Sequence, residues 1–329
     1  MKWLTALIVA LMLAWGGYWV VGSGALDRGA TAWLDGLPAQ GIPASYANLR
    51  VQGFPNRFDL ILTDLAIGDP AALQWRAPFF HLLALSYRPN HLIAVFPPAQ
   101  QVVTPLQTLT LTSLSARASV LFQANTALPL DHMELVVNQG ALLSDHDWEA
   151  SFSQLRFATR QVFSAENAHQ IGLDLIELQP AAALRRAIDP EKSLPEVVDN
   201  LHLDLTLQPD RPIDRHAFAD AGPGLLTLTL TSLNLHWGSM KVQAEGELTR
   251  GSDGTATGKI TVRVQDWRRM LALAATGFGL DHLALGNLTR ALETLEALSP
   301  DKTRLEVALT FANGRGSIAG LPLFAAPYF

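Results

Sequence analysis

The chain has 329 residues, enough for one large domain or two ordinary ones. Charged residues make up 16% and hydrophobic residues 49%, and the net charge is −6, which excludes a disordered acidic tail and the basic stripe of a nucleic-acid binder. Without cysteine there is no disulfide framework, thiolate nucleophile or cysteine-based zinc site.

Trp3 to Val21 carries no charge, and its 19 residues, at about 1.5 Å each, span roughly 28 Å, close to a hydrocarbon core of about 30 Å. Trp3 lies at one end; Trp15, Tyr18 and Trp19 lie near the other, where amphipathic rings favour the headgroup zone. The rival reading is a cleaved secretory signal, since Ser23-Gly24-Ala25 resembles a small-residue cleavage site. The apolar run exceeds the roughly 7–15 residues of a signal and ends in bulky aromatics, which favours an uncleaved anchor. Either reading exports the rest of the chain. Lys2 is the only basic residue ahead of the helix, and Asp27 and Arg28 cancel behind it, so orientation rests on the habit of short-tailed N-terminal helices. The expectation is a single-pass inner-membrane protein held by residues 3–21, with its main domain in the periplasm.

Leu26 to Leu37 reads as a short amphipathic helix ended by Pro38 and Gly41, within a connector over residues 25–44. The period then changes from helical to two. Leu49 and Val51, then Phe58, Leu60 and Leu62 beyond the Gly53-Phe54-Pro55 break, alternate with polar neighbours. Phe79, Leu83, Leu85 and Tyr87 predict another strand, and Leu92 to Phe96 a further one after a turn at Pro89-Asn90. Pro97-Pro98 ends it, because neither proline can donate to a ladder. Thr108–Leu114 and Thr227–Leu233 are the same seven residues, TLTLTSL, with leucine on one side and β-branched threonine on the other. The serine breaks the alternation, which predicts a bulge or turn at Ser113 and Ser232.

Further strands are predicted at Met133–Val137, Ala150–Ala158, Ile171–Leu178, Leu201–Leu207, Lys241–Leu248, Gly258–Val264, Leu305–Phe311 and Gly316–Ile318. Arg250 to Gly254 is turn-forming, and Asn313-Gly314 is a strong hairpin signal. Two helical interruptions are expected. One lies over Pro180 to Asn200. The other lies over Asp266 to Ser299, where Trp267, Met270, Leu271 and Ala274 form one stripe and Leu288, Leu292, Leu295 and Leu298 a second, separated by Gly277 and Gly279. The fold class is therefore mainly β (α+β): an N-terminal membrane anchor over residues 1–24, then a mostly antiparallel curved β-sheet domain over residues 45–329. That domain carries one or two helical hairpins, and the TLTLTSL repeat allows two similar sheet halves.

Catalytic patterns are missing. Gly254 to Lys259 lacks the spacing of a phosphate loop, and no GxSxG, HExxH, GxGxxG or calcium-loop motif occurs. Asp145-His146-Asp147 with Glu149 reads as a solvated loop before a metal site, and His216 beside Asp214 and Arg215 as loop polarity. Trp75, Trp148, Trp237 and Trp267 read as core anchors before ligand-stacking residues. The sequence thus predicts no enzyme, no cofactor, no metal and no nucleic-acid partner.

Gly53-Phe54-Pro55-Asn56-Arg57-Phe58-Asp59-Leu60 resembles the GYPFRF-type signature of an uncharacterised, mainly alphaproteobacterial envelope family, domain of unknown function 2125. Trp75-Arg76-Ala77-Pro78, Leu85-Ser86-Tyr87-Arg88-Pro89, Trp237-Gly238, Asp266-Trp267-Arg268-Arg269 and the closing Phe311-Ala312-Asn313-Gly314, Gly320-Leu321-Pro322-Leu323 and Ala326-Pro327 follow the same pattern. Asn56 departs from it, standing where the family often has an aromatic residue. The layout also resembles AsmA-type envelope proteins, which implies a long sheet with an apolar face able to carry acyl chains. On that resemblance the expected function is binding of lipid or another apolar ligand along a sheet face, with Leu109, Leu111, Leu226, Leu228 and Leu230 as its lining. The alternative is a non-enzymatic assembly factor that binds another envelope protein through a sheet edge.

Overall fold

In the computed structural model, helix α1 runs without a break from Lys2 to Gly36. The predicted anchor and the amphipathic segment after it are therefore one helix. Gly22 and Gly24 each cost up to about 1 kcal/mol against alanine, but no proline interrupts the run before Pro38, and the apolar stretches on both sides carry the helix through. Pro38–Gln40 form a short 3-10 turn, and Gly41, at φ 79°, ends it. The structure describes residues 2–189, 192–217, 222–271, 282–298, 304–318 and 320–329.

The chain divides into two compact units: Met1–Ala124 with Leu135–Asp147, and Asn125–Glu134 with Trp148–Phe329. The first is an antiparallel meander. Strands β1 (Ala44–Ser45) and β2 (Asn48–Gln52) both lie along β3 (Arg57–Asp69), and β3 pairs with β4 (Leu73–Leu85). Strand β4 in turn pairs with β5 (Arg88–Phe96) and β6 (Ala99–Val103), both of which pair with β7 (Thr108–Phe122). Strand β8 (Leu130–Ser144) contributes residues to both units. Leu34, in the last turn of α1, and Leu37, just after it, bury themselves against Leu62, Leu65, Ile67 and Trp75, so the helix tail covers part of the apolar face of this sheet.

Two local expectations shift here. The turn after β4 falls on Ser86-Tyr87, which puts Tyr87 outside the strand and Pro89-Asn90 inside β5. The β4–β5 register jumps between Leu85↔Arg88 and Ala84↔Leu92, so Pro89 occupies a bulge, where its missing N–H costs nothing.

The second unit contains a nine-stranded antiparallel meander. Its strands are β9 (Glu149–Gln161), β10 (His169–Leu178), β11 (Val198–Pro209), β12 (Leu225–Trp237), β13 (Met240–Arg250), β14 (Ala256–Gln265), β15 (Arg304–Ala312), β16 (Arg315–Ile318) and β17 (Leu321–Ala325). Short helix α2 (Ala182–Ile188) interrupts it between β10 and β11, and α3 (His282–Leu298) between β14 and β15. Residues 267–271 are also helical; the predicted Ala274, Gly277, Gly279 and Ser299 lie outside the described residues. Asn313 and Gly314 both adopt positive φ, at 52° and 72°, as a two-residue hairpin of this chirality demands.

The twin TLTLTSL segments each carry the predicted irregularity. In β12 the ladder with β13 skips from Leu230 to Leu233. In β7 the pairing passes from Thr112↔Ala99 to Ala116↔Phe96, one residue longer on the β7 side. Ser113 N–H there donates to Pro98 O at 2.8 Å.

Candidate functional site

The family-like GFPNRF segment is where α1 meets the sheet. It forms the tight connection between β2 and β3, with Gly53 at φ 105° because an added Cβ would lie 2.9 Å from Arg57 O. Three aromatic side chains of α1 use their polar ends on this connection and on the β4–β5 turn beside it. Trp15 Nε1 donates to Pro55 O at 3.1 Å, Trp19 Nε1 to Arg57 O at 2.7 Å, and Tyr18 Oη to Ser86 O at 2.6 Å. The two turns are laced together, since Ser86 N–H donates to Asn56 O at 2.9 Å.

Ring packing closes the same joint. Phe58 is 6% exposed and lies near Tyr18 and Trp19, while Phe54 meets Trp19 edge-on at 5.3 Å between centroids. Gly22 completes it: a Cβ there would stand 2.6 Å from Phe58 Cζ, so only glycine lets the helix approach this closely. The Arg57 guanidinium turns the other way and holds the buried Asp59 carboxylate at 2.6 Å. From sequence, Trp15, Tyr18 and Trp19 go to the headgroup zone because ring type and position are all that a sequence shows; their backbone partners lie 38 to 68 residues away.

The remaining motif residues sit in cores. Trp75 packs with Phe80 and Phe96 and donates to Gln100 Oε1 at 2.7 Å. Trp237 is 5% exposed and donates to Pro195 O at 2.9 Å, while Gly238, at φ 59°, lets Pro195 lie over the β12–β13 turn. Its N–H donates to the Asp199 carboxylate at 2.9 Å. Trp267 is buried with Leu288, Leu292, Val264 and Leu305, and the Arg268 guanidinium lies 4.4 Å from its ring centroid. Thus Gly53, Phe54, Pro55 and Arg57 come together with the Ser86–Arg88 turn, whereas Trp237 and Trp267 anchor the two helical interruptions of the second unit.

That unit has one apolar and one polar face. Cross-strand partners run Leu155–Leu175–Leu201–Leu235–Val242–Val264–Leu305 in one row and Phe157–Leu173–Leu203–Leu233–Ala244–Val262–Val307 in the next. On the opposite face the intervening row reads Arg156–Asp174–His202–Asn234–Gln243–Arg263–Glu306. Helix α3 covers the Val264, Leu305 and Val307 end of the apolar rows, and Leu194 covers Trp237 and Met240 near Leu235 and Val242. Towards β9 to β11 the rows stay half-buried, including Phe157, Leu173 and Leu203.

The five leucines expected to line an apolar surface separate. Leu228 pairs with Leu207 and Leu248, and Leu230 with Leu205, all on the apolar face; Leu230 is only 8% exposed. Leu226 drops out of the ladder at the Gln208/Pro209 irregularity and is 37% exposed. Leu109 and Leu111 lie in the first unit, where Leu109 pairs with Val102 and Val102 with Trp75.

The chain matches, over residues 19–327, the family described as an uncharacterized protein conserved in bacteria, DUF2125. It belongs to that family. No curated protein matches it. The match begins at Trp19, within the part of α1 that docks on the GFPNRF connection.

In this DUF2125 chain several carboxylates accept backbone N–H bonds in turns. Asp145, just after β8, accepts the N–H of Thr108 at the start of β7 at 3.0 Å; Asp214 accepts the His216 N–H at 2.8 Å. Among the described residues no cluster of three histidine, aspartate or glutamate side chains could hold a metal. Asp189 is 4% exposed. Burial alone would raise its pKa, but the N–H groups of Leu194 and Ser193 and the Ser193 hydroxyl hold it below the usual carboxylate value. His169 is 3% exposed near the apolar face, and burial lowers its pKa against a small opposing pull from Asp131.

Proposed function

We propose that this protein is a single-pass, membrane-anchored component of the bacterial envelope, with its β units in the periplasm, that binds lipid or another apolar ligand along a sheet face. The observation that carries the reading is the half-buried set of aliphatic rows crossing β9, β10 and β11, beyond the reach of α3 and Leu194 among the described residues. A large apolar side chain left in water forgoes about 1.5–3 kcal/mol, so a face of this extent favours an apolar occupant. An N-terminal helix long and apolar enough to cross a membrane supports the anchor. Docking of Trp15, Tyr18 and Trp19 on the sheet favours retention of that helix over cleavage, since cleavage after Ala25 would strip the cover from Phe58.

Edge pairing with a partner protein is the weaker reading. Strand β17 has five residues with Pro322 inside it, and β1 and β2 have two and five, which are short and blunted edges. Photoactivatable acyl-chain lipids, incorporated in vesicles with the full chain and followed by peptide mass spectrometry, test the proposal. Crosslinks to β9, β10 and β11 at or beside Phe157, Leu173 and Leu203 are expected; a folded chain crosslinked only along α1 would refute it.

A further inference from the structure

The joint between α1 and the sheet sits too near the charged Lys2 for the usual picture of an anchor followed by a domain clear of the membrane. Only the uncharged run Trp3 to Ala14, 12 residues, lies between Lys2 and the first docked side chain, Trp15. At about 1.5 Å each they reach roughly 20 Å, against about 30 Å of hydrocarbon. A span therefore has to include Trp15 to Val21, and whatever is bonded to Trp15, Tyr18 and Trp19 goes with them.

We infer that the Gly53–Arg57 connection and the Ser86-Tyr87 turn are embedded in the membrane interface, as an apolar foot of the first unit that contacts lipid directly. The foot rests on the reading of α1 as a membrane anchor and adds a second contact to it. Three of its features fit that position. First, its outward side chains are Phe54, 62% exposed, and Tyr87, 61% exposed, the ring types that favour the lipid–water boundary. Second, five carbonyls of its irregular backbone are already paired within the protein. The carbonyls of Gly53, Pro55, Asn56, Arg57 and Ser86 accept bonds from Arg57 N–H, Trp15, Ser86 N–H, Trp19 and Tyr18 respectively. Non-helical backbone is tolerated at such depth only when its polar groups are paired within the protein. Third, the exposed Arg88 follows Tyr87 directly, where its guanidinium can reach lipid phosphates.

The absence of native cysteine makes the test direct. Four single-cysteine variants of the full chain, Leu7→Cys, Phe54→Cys, Tyr87→Cys and Leu106→Cys, carry a polarity-sensitive fluorophore in vesicles of phosphatidylethanolamine and phosphatidylglycerol, with nitroxide lipids as quenchers. Leu106 lies in the turn after β6, beside the Gln74 end of β4, about 36 Å along that strand from Leu85. Expected are deep quenching at position 7, shallow quenching with blue-shifted emission at 54 and 87, and water-like emission at 106. Phe54→Cys loosens a contact with Trp19, so Tyr87→Cys, outside that ring contact, stands as the independent reading. Quenching at 7 with water-like emission at 54 and 87 overturns the foot and leaves the anchor standing. Water-like emission at all four positions overturns both.

Discussion

The indole N–H of Trp19 donates to the backbone carbonyl of Arg57 at 2.7 Å, and the Arg57 side chain on the same residue pairs with buried Asp59 at 2.6 Å. One motif arginine thus ties the apolar helix to the sheet through its backbone and secures the strand through its guanidinium. Truncating the aromatic partners should loosen this joint. Tyr18→Phe leaves the fully buried Ser86 without its phenolic donor and is expected to cost about 1–2 kcal/mol. Trp19→Phe should cost at least as much, because ring area is lost as well. Urea denaturation in micelles, followed by tryptophan fluorescence, measures both. If the double variant equals the sum of the singles, the two bonds act independently.

Gly22→Val places a branched side chain where even a Cβ would sit 2.6 Å from the Phe58 ring. Overpacking of this kind costs about 1–3 kcal/mol. The expected result is faster proteolysis between α1 and β2 with little change in the second unit. Gly17→Val, at a helix position with nothing within 4 Å of its Cβ, serves as the tolerant control.

The β12–β13 turn should be equally sensitive. Gly238→Ala adds a Cβ 2.6 Å from Pro195 Cδ at a residue with φ 59°. A strained positive φ costs about 1 kcal/mol or more before the clash is counted. Loss of the Trp237 bond to Pro195 O by Trp237→Phe gives a second route to the same loosening of the segment before β11. Hydrogen exchange at Leu194 and Val198 reads both variants.

Acid should weaken the second unit in two stages. His169 has its folded pKa below the ordinary 6.5, so below about that pH the unfolded chain takes up a proton that the folded chain refuses. Its stabilisation is complete above 6.5 and is lost as pH falls through the lowered folded value. Asp189 has its folded pKa below 3.8, so its contribution is present above that value and disappears at lower pH still. A plot of the urea midpoint against pH should show both declines, and His169→Phe should flatten the upper one. A profile flat between pH 7 and 4 in the parent protein would show that His169 is open to water.

On the apolar face, Leu203 faces Leu173 and Leu233 in the half-buried region. Leu203→Ala is expected to cost about 2–4 kcal/mol if this position is packed like a core and much less if a bound ligand supplies the packing. Lipid content measured on the same samples separates the two outcomes. Leu109→Asp and Leu228→Asp extend the comparison to the twin segments. Unchanged stability and lipid content in either would place that side chain in water.

Much of this architecture was legible in the residues alone. Period-two alternation located most strands, the uncharged Trp3–Val21 run marked the apolar N-terminal helix, and Asn313-Gly314 located a hairpin, because each is set by neighbours a few residues apart. Strand β6 and the edge strand β17 escaped because Ala99–Val103 and the proline-containing Leu321–Ala325 have little pattern of their own and are held by β4, β7 and β16. The twin TLTLTSL leucines could be assigned to a side of their strands but not to a common surface, since register and unit membership put Leu109 beside Val102 and Leu228 between Leu207 and Leu248. By itself, then, the sequence determined that an apolar helix precedes a mainly antiparallel sheet. Only the tertiary structure decided that the helix is docked through Trp15, Tyr18 and Trp19 on the GFPNRF connection, because those bonds join an aromatic side chain to backbone carbonyls, which any sequence possesses.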